Sequence, residues 1–213
     1  MICVSIPEKN IDKCLAIAGS SDIAEIRIDM AGLGDSEVRL IFSKSKKPLI
    51  ATCRPELVKD HLRLKLLKAA IDAGAAYVDI ESDAELNLKQ DLIQYAKSKK
   101  CKVIVSYHNY DNTPDTKDLH TVIDACFESG ADIVKIATTA HTPSDSARII
   151  GLHDKYTSLV ALAMGEAGKI TRVANLYSGS PFTYASISDE QKTAPGQLSV
   201  FEIEFIRTII DKV

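Results

Sequence analysis

Short runs of β-branched and aliphatic residues alternate with longer helix-period segments along the entire chain. The predicted strands are Ile2–Ile6, Ile23–Ile28, Leu49–Cys53, Tyr77–Glu81, Val103–Tyr107, Ile133–Ala137, Leu159–Ala163 and Phe182–Ser186. The predicted helices are Asn10–Ala18, Asp35–Phe42, Leu57–Ala73, Ala84–Ser98, Thr116–Ser129, Pro143–Asp154, Ile170–Tyr177 and Gln197–Asp211. Such alternation with short connections requires parallel strands and right-handed crossovers. Eight units favour a closed (β/α)8 barrel, the TIM barrel.

An open, doubly wound sheet of the flavodoxin or Rossmann type is the main alternative fold. No G-x-G-x-x-G motif follows the first strand, so a dinucleotide site has little support. Gly74 and Gly130 follow predicted helices at positions where a short loop needs a left-handed residue. Within Val58–Ile71, helical spacing predicts a buried face of Leu62, Leu64, Leu66, Leu67, Ala70 and Ile71.

Length and composition narrow the class of protein. The 213 residues predict one compact domain spanning 1–213, and the first strand begins at Ile2, which predicts a barrel without an N-terminal hairpin. A net charge of −3 gives no basic footprint for nucleic acid, and the longest apolar stretches are too short to span a membrane. The five scattered cysteines form no C-x-x-C pair, which suits a reducing, cytoplasmic environment and indicates neither a zinc site nor a disulfide framework.

Polar or charged side chains lie at the carboxyl ends of five consecutive predicted strands. They are Arg27, Arg54, Glu81, His108 and Lys135, each 27 residues after the last. Active sites of (β/α)8 barrels form at this end of the strands. The equal spacing is partly coincidence, because loop lengths vary, but the equivalent placement predicts that these side chains surround one site.

Lys135 and His108 carry the chemistry with the most catalytic potential. Lys135 lies in the apolar run D-I-V-K-I-A, where a lysine is unfavourable unless it is paired or functional. A buried lysine amine can form an imine with a ketone, and a neutral histidine beside it could move protons near neutral pH. The alternatives are a lysine in a buried ion pair or snorkelling to solvent, and a hydrogen-bonded histidine at the rim.

Carboxylates and arginines surround these two residues. Glu81 could orient the imidazole or serve as a salt-bridge partner, while Asp79, on the same strand face, could lie deeper in a structural role. Glu25, Arg27 and Asp29 share a face of the second strand. Arginines and carboxylates at one rim suit an anionic, polyhydroxylated substrate, and they equally suit a structural ion-pair network.

Two segments of the last third have the composition of ligand-binding loops. Residues 164–172 leave the seventh strand through Gly165 and Gly168, and Arg172 lies in the first turn of the next helix, where a phosphate or a carboxylate could bind. Residues 188–197 are polar and contain Pro195 and Gly196, a pattern typical of a lid or of an ordinary surface loop.

Seven motifs, in order and at strand ends or in the last loop, connect the chain to a family. They are E-I-R-I-D, A-T-C-R, V-D-I-E, S-Y-H, V-K-I-A, M-G-x-x-G with T-R, and A-P-G-Q. Together they resemble the type I 3-dehydroquinate dehydratases, Schiff-base enzymes of the shikimate pathway of aromatic amino-acid biosynthesis. The resemblance implies a (β/α)8 barrel that converts 3-dehydroquinate to 3-dehydroshikimate and water without metal or organic cofactor. Apolar helix faces leave room for a homodimer, as in relatives.

The resemblance also implies a role for each matching residue. Lys135 would form the imine with the substrate ketone, His108 would transfer protons, and Glu81 would orient His108. Substrate contacts would come from Glu25, Arg27, Arg54, Arg172, Thr193 and Gln197, and more peripherally from Ser5. Thr193 and Gln197 would close over the substrate from the lid, and Thr193 stands where many members have serine.

Two other functions share part of this pattern. A class I aldolase or transaldolase-like enzyme would also use Lys135, but three rim arginines favour a carboxylate over a sugar phosphate. A non-catalytic barrel that binds small acids would need the arginines alone, and the intact set of lysine, histidine and glutamate argues against it.

Overall fold

Eight parallel strands form a single sheet that curves into a barrel. A computed structural model describes residues 1–212. The strands are β1 (Ile2–Ile6), β2 (Ile23–Arg27), β3 (Leu49–Thr52), β4 (Tyr77–Glu81), β5 (Lys102–Asn109), β6 (Ile133–Thr139), β7 (Leu159–Met164) and β8 (Thr183–Ser186). Their order is β7-β6-β5-β4-β3-β2-β1-β8, so each strand from β2 to β7 pairs with the one before it and β8 pairs with β1. This is the predicted (β/α)8 barrel, closed except between β7 and β8, where the described residues form no ladder.

The helices surround the barrel and largely follow the predicted bounds. They are α1 (Ile11–Gly19), α2 (Ile28–Ala31), α3 (Asp35–Lys44), α4 (Asp60–Asp72), α5 (Leu86–Ser98), α6 (Thr116–Glu128), α7 (Pro143–Gly151), α8 (Lys169–Ala174) and α9 (Val200–Ile210). Within residues 1–212, no helix combines the length and apolar character needed to cross a bilayer. The short α2 was not predicted, and α4 begins three residues later than expected because the chain turns at Pro55 and the residues that follow it.

The buried face of α4 differs from the predicted one. Leu66, Leu67, Ala70 and Ile71 are buried as expected. Leu62, however, is 44% exposed, while Arg63 is only 2% exposed. Arg63 faces inward because its Nη1 donates to Glu81 Oε2 at the end of β4, at 2.7 Å. The prediction for Leu62 was wrong because a charged partner inside the fold outweighs the simple apolar spacing.

Helix α8 connects β7 to β8 through two side-chain hydrogen bonds. The backbone N–H of Ala163 donates to Thr171 Oγ1 at 2.9 Å, and Thr183 Oγ1 donates to the carbonyl oxygen of Arg172 at 2.7 Å. These two bonds attach the first turn of α8 to both strands in place of sheet pairing. They fix the backbone from which the Arg172 side chain extends.

The barrel interior changes from apolar to polar toward the carboxyl ends of the strands. The apolar layer contains Cys3, Ile23, Ile50, Ile104, Ile133, Val160, Leu162, Phe182 and Tyr184. Two residues further along their strands, on the same faces, lie the buried side chains Ser5, Glu25, Thr52, Ser106 and Lys135. A dry floor therefore supports a layer of charged and hydroxyl groups at the end of the barrel where active sites form.

Candidate active site

A cavity of about 250 Å³ opens at the carboxyl ends of the strands, above the polar layer. Several predicted site residues line it: Glu25, Arg27, Arg54, His108, Lys135, Arg172, Thr193 and Gln197. Other lining residues include Asp29, Met30, Tyr110, Leu162, Met164 and Tyr184, together with Glu56 and Leu57 from the loop after β3. Four of the five positions predicted from strand ends thus line one cavity, and Glu81 does not; nor does Ser5, which only the family resemblance had pointed to.

Lys135 lies within the cavity wall and is 7% exposed. Its Nζ is 3.5 Å from Asp79 Oδ2, 3.8 Å from Glu25 Oε1 and 4.3 Å from the centre of the Tyr184 ring. Two carboxylates and an aromatic face hold the amine in one place at the barrel axis. An amine held in this way can meet a carbonyl carbon from the open side of the cavity.

The two carboxylates beside Lys135 are held in their charged forms. Burial alone would raise the pKa of Glu25, but Lys135 and Arg27 outweigh burial and lower it. For Asp79, burial is again opposed by Arg54 and Lys135, which hold the pKa of its carboxyl well below the usual value. The hydroxyl of Thr52 donates to Glu25 Oε1 at 2.9 Å, and that of Ser106 donates to Asp79 Oδ1 at 2.6 Å.

Ser5 lies beneath Glu25 and outside the cavity lining. It is fully buried, and its hydroxyl donates to Glu25 Oε2. Ser5 thus fixes the second oxygen of a cavity carboxylate, and its peripheral substrate contact stays a prediction.

Glu81 pairs with two arginines. Its oxygens accept hydrogen bonds from Arg54 Nη1 and Arg63 Nη1. It does not line the cavity, and among the described residues it makes no hydrogen bond to His108. Glu81 therefore anchors Arg54, the salt-bridge role that the sequence left open, and its orienting role toward His108 stays a prediction.

His108 faces the cavity from the end of β5. Its ring stacks on that of Tyr110, with centroids 6.0 Å apart and planes 13° apart. Burial, together with the positive charges of Arg54 and Lys135, lowers the pKa of His108 well below its ordinary value. The imidazole is therefore neutral at physiological pH and able to accept a proton.

Arg172 is a buried guanidinium without a carboxylate. It is 2% exposed, lines the cavity, and forms no ion pair with any carboxylate in residues 1–212. Its Nη1 lies 3.5 Å from the carbonyl oxygen of Tyr184, at the limit of a hydrogen bond. Burial lowers the pKa of Arg172 to about 10, so the group still carries its charge at neutral pH. A ligand carboxylate is the natural counter-ion for such a group.

Arg27 and four residues of the predicted lid segment, 188–197, line the cavity. Arg27 is held by a two-point contact with Asp29, at 3.1 and 2.7 Å. In the lid, the backbone N–H and hydroxyl of Thr193 both donate to Gln197 Oε1, at 2.7 and 3.1 Å. Gln197 is nearly fully buried, and Thr193 is partly exposed at the mouth.

Sequence reasoning did not single out several of the lining side chains, among them Tyr184, Glu56 and Leu57. Tyr184 faces inward by strand parity, two residues after Phe182, and that signal was available. Glu56 and Leu57 lie in the turn after β3, and the predicted helix began at Leu57. Arg63 was missed because an arginine next to an apolar helix face is normally solvated.

Comparisons with known proteins agree with this architecture. The profile of the type I 3-dehydroquinase family matches residues 2–212. A Methanococcus maripaludis (strain C6) protein named 3-dehydroquinate dehydratase is 36% identical, over 99% of this chain and 100% of that protein. The crystal structure of the 3-dehydroquinate dehydratase of Aquifex aeolicus has a TM-score of 0.84 and 28% identity, over 100% of both chains. The type I enzyme of Clostridium difficile shares the fold with a TM-score of 0.86, at 24% identity, over 99% of this chain and 92% of that chain. With matches along nearly its whole length and a barrel of the same shape, the chain belongs to the type I 3-dehydroquinase family.

Proposed function

We propose that the chain dehydrates 3-dehydroquinate to 3-dehydroshikimate through an imine between the substrate ketone and Lys135. The observation that carries this proposal is the presence, in one cavity, of the buried amine of Lys135 and the buried, unpaired guanidinium of Arg172. A substrate with both a ketone and a carboxylate satisfies both groups at once. Family membership supplies the identity of that substrate.

Imine formation uses the amine of Lys135 as the nucleophile. The ammonium gives up one proton so that its nitrogen can add to the ketone carbon. That proton and one of the two remaining N–H protons leave with the carbonyl oxygen as water, and a protonated imine with one N–H remains on Nζ. The cationic nitrogen withdraws electrons and makes the adjacent C–H acidic. Asp79 and Glu25, at 3.5 and 3.8 Å from Nζ, balance the positive charge at this position.

His108 is the proton-transfer residue of the proposal. Its neutral imidazole removes the proton next to the imine carbon, and the electron pair of that bond moves to form a neutral enamine. The enamine then expels the hydroxyl group, which takes the proton from the imidazolium and leaves as water. Hydrolysis of the remaining imine releases the product and restores both side chains.

The other cavity residues are assigned to substrate binding. Arg172 binds the substrate carboxylate as its missing counter-ion. Glu25, Arg27 and Arg54 present charged groups to the hydroxyls and to the carboxylate. Thr193 and Gln197 contact the substrate from the lid, and Glu81 and Ser5 act through Arg54 and Glu25.

An absorbance assay for enone formation from 3-dehydroquinate tests the reaction, and borohydride reduction tests the imine. We expect reduction in the presence of substrate to add a covalent mass that peptide mapping places on Lys135. The Lys135→Ala variant should neither turn over nor trap substrate. Trapping by that variant, or enone formation without any trapping in the wild type, would contradict the imine step.

We also propose that two copies associate through the outer face of α8 and α9. This face exposes Ile170, Tyr177, Phe201, Phe205 and Ile209, with Phe201 78% exposed. The rings of Phe201 and Phe205 stack on each other with centroids 6.3 Å apart, so these two exposed side chains form one apolar patch. Sedimentation should show a homodimer that Phe205→Lys converts to a monomer, and a monomeric wild type would exclude this interface.

A further inference from the structure

We propose that the aromatic face of Tyr184 stabilises the positive charge on Lys135 Nζ during the reaction, a role for a residue that no sequence motif singled out. The inference rests on the proposed function and extends it, because the positive charge that the ring would stabilise includes the charge of the protonated imine on Lys135. Tyr184 would be a residue that touches the reacting nitrogen through its ring.

The geometry places the ring against the amine. Lys135 Nζ lies 4.3 Å from the ring centre, within the range of a cation–π contact. Tyr184 points inward from β8 and is 3% exposed, so this contact is shielded from water. Phe182, one inward position below, meets the Tyr184 ring edge to face, with centroids 5.5 Å apart and planes 75° apart. This packing fixes the ring beneath the amine.

The ring, and not the hydroxyl, is the group in position to act. The Tyr184 hydroxyl is buried and has no hydrogen-bond partner in the part of the chain that the structure describes. It therefore adds no polar contact to hold Lys135. The electron-rich face of the ring is what the amine meets.

An aromatic face has an advantage over carboxylates as the amine becomes an imine. A lysine ammonium has three N–H donors for Asp79 and Glu25, whereas a protonated imine has only one. The one hydrogen bond of the amine, to Asp79 Oδ2 at 3.5 Å, then depends on the direction of that single N–H, and Glu25 Oε1 lies beyond hydrogen-bond distance at 3.8 Å. Attraction between a cation and a ring face does not depend on N–H direction, so the Tyr184 contact persists in both charged states.

Three replacements separate the ring from the hydroxyl and from general packing. Tyr184→Phe keeps the ring and removes the unpartnered hydroxyl. Tyr184→Leu removes the ring. Phe42→Leu is the matched control, since it removes an equally buried ring, in α3, that does not line the cavity. Replacement of Tyr184 by pentafluorophenylalanine keeps the shape of a ring while reversing the charge of its face, which provides a test if Tyr184→Leu does not fold.

The measurement is the fraction of protein trapped by borohydride at fixed substrate concentration, together with kcat from the enone assay. We expect Tyr184→Leu and the pentafluorinated protein to trap and turn over about tenfold less, as loss of a desolvated cation–π contact predicts. Tyr184→Phe and Phe42→Leu should stay within about twofold of the wild type, with thermal melting used to verify folding.

Each contrary result has a distinct meaning. Equal trapping by the wild type and the pentafluorinated protein would overturn the role of the ring while leaving the imine mechanism intact. An equal loss in Phe42→Leu would assign the effect to general packing, and an equal loss in Tyr184→Phe would assign it to the hydroxyl; both would overturn the inference. A wild type that traps no substrate would refute the proposed function itself, and the inference with it.

Discussion

Arg172 and Arg54 are both buried arginines of the cavity, but their surroundings are opposite. Arg54 donates to Glu81, to Ser106 and, at 3.1 Å, to Asp79, whereas Arg172 has no carboxylate within residues 1–212. Burial of an unpaired charge is unfavourable, and removal of one partner from a buried pair leaves the other uncompensated. Arg54 should therefore matter for both stability and binding, and Arg172 for binding alone.

The corresponding prediction pairs two substitutions. Arg172→Met should lower kcat/KM by roughly 10- to 100-fold, because a charge-assisted contact to the substrate carboxylate is lost, while the melting temperature stays equal or rises. Arg54→Met should destabilise the protein by about 3–5 kcal/mol, since Asp79 and Glu81 each lose one of their two cationic partners inside the fold. Urea denaturation and steady-state kinetics measure both effects. Equal destabilisation by the two substitutions would contradict the difference in pairing.

His108 gives a prediction on pH. Its pKa is lowered in the folded protein, by burial first and then by Arg54 and Lys135. The neutral base should therefore persist below the usual histidine range, and the acid limb of kcat/KM should lie below about pH 6.5. The same shift makes folding stability fall as the pH drops below that value, because the unfolded chain then binds the proton more readily. An acid limb above pH 7, or an acid limb that is unchanged in His108→Ala, would show that the titration of His108 does not set the rate. The His108→Ala variant should still trap substrate with borohydride.

At the scale of elements, residue pattern predicted most of the barrel and part of the site. Strand parity placed Glu25, Arg27 and Lys135 in one cavity, because alternation along a strand is a local property. It could not place Arg63, whose inward direction depends on Glu81 of another element. Strand parity also could not show which of Asp79 and Glu81 lies beside Lys135, because the depth of a side chain along the barrel axis depends on the register between strands.

The lid offers an element-scale prediction at Gly196. This residue has φ +69°, and a Cβ there would lie 2.3 Å from the carbonyl oxygen of Gly165. Gly196→Ala should displace the lid from the loop after β7 and reduce kcat/KM by up to about 100-fold, as small misplacements of binding groups can. Gly179→Ala is the control, because Gly179 has φ +83° with nothing within 4 Å of its Cβ position. That variant should lose some stability and keep its activity; equal kinetics in the two variants would contradict the role of the lid contact.

At the scale of the whole molecule, the excess charge at the barrel mouth has the opposite sign to the net charge of the chain. The chain has a net charge of −3, yet its buried and largely buried charged groups at the barrel mouth include one more cation than carboxylates. The cations are Arg27, Arg54, Arg63, Lys135 and Arg172, and the carboxylates are Glu25, Asp29, Asp79 and Glu81. A ligand with one carboxylate would neutralise the single excess positive charge of this set. A sugar phosphate carries more negative charge than is needed to neutralise it.

This balance predicts which ligands stabilise the fold. Quinate, a carboxylic acid without the ketone, should raise the melting temperature by about 5–10 °C at a hundredfold excess over its Kd. A sugar phosphate at the same concentration should have a much smaller effect, and added salt should weaken the quinate effect only modestly because the site is buried. Arg172→Met should abolish the shift, whereas Lys135→Ala should retain most of it, since quinate has no ketone for the amine. A larger shift with the sugar phosphate than with quinate would favour an aldolase-like enzyme over a dehydratase, because only a phosphate-binding barrel would prefer the more highly charged ligand.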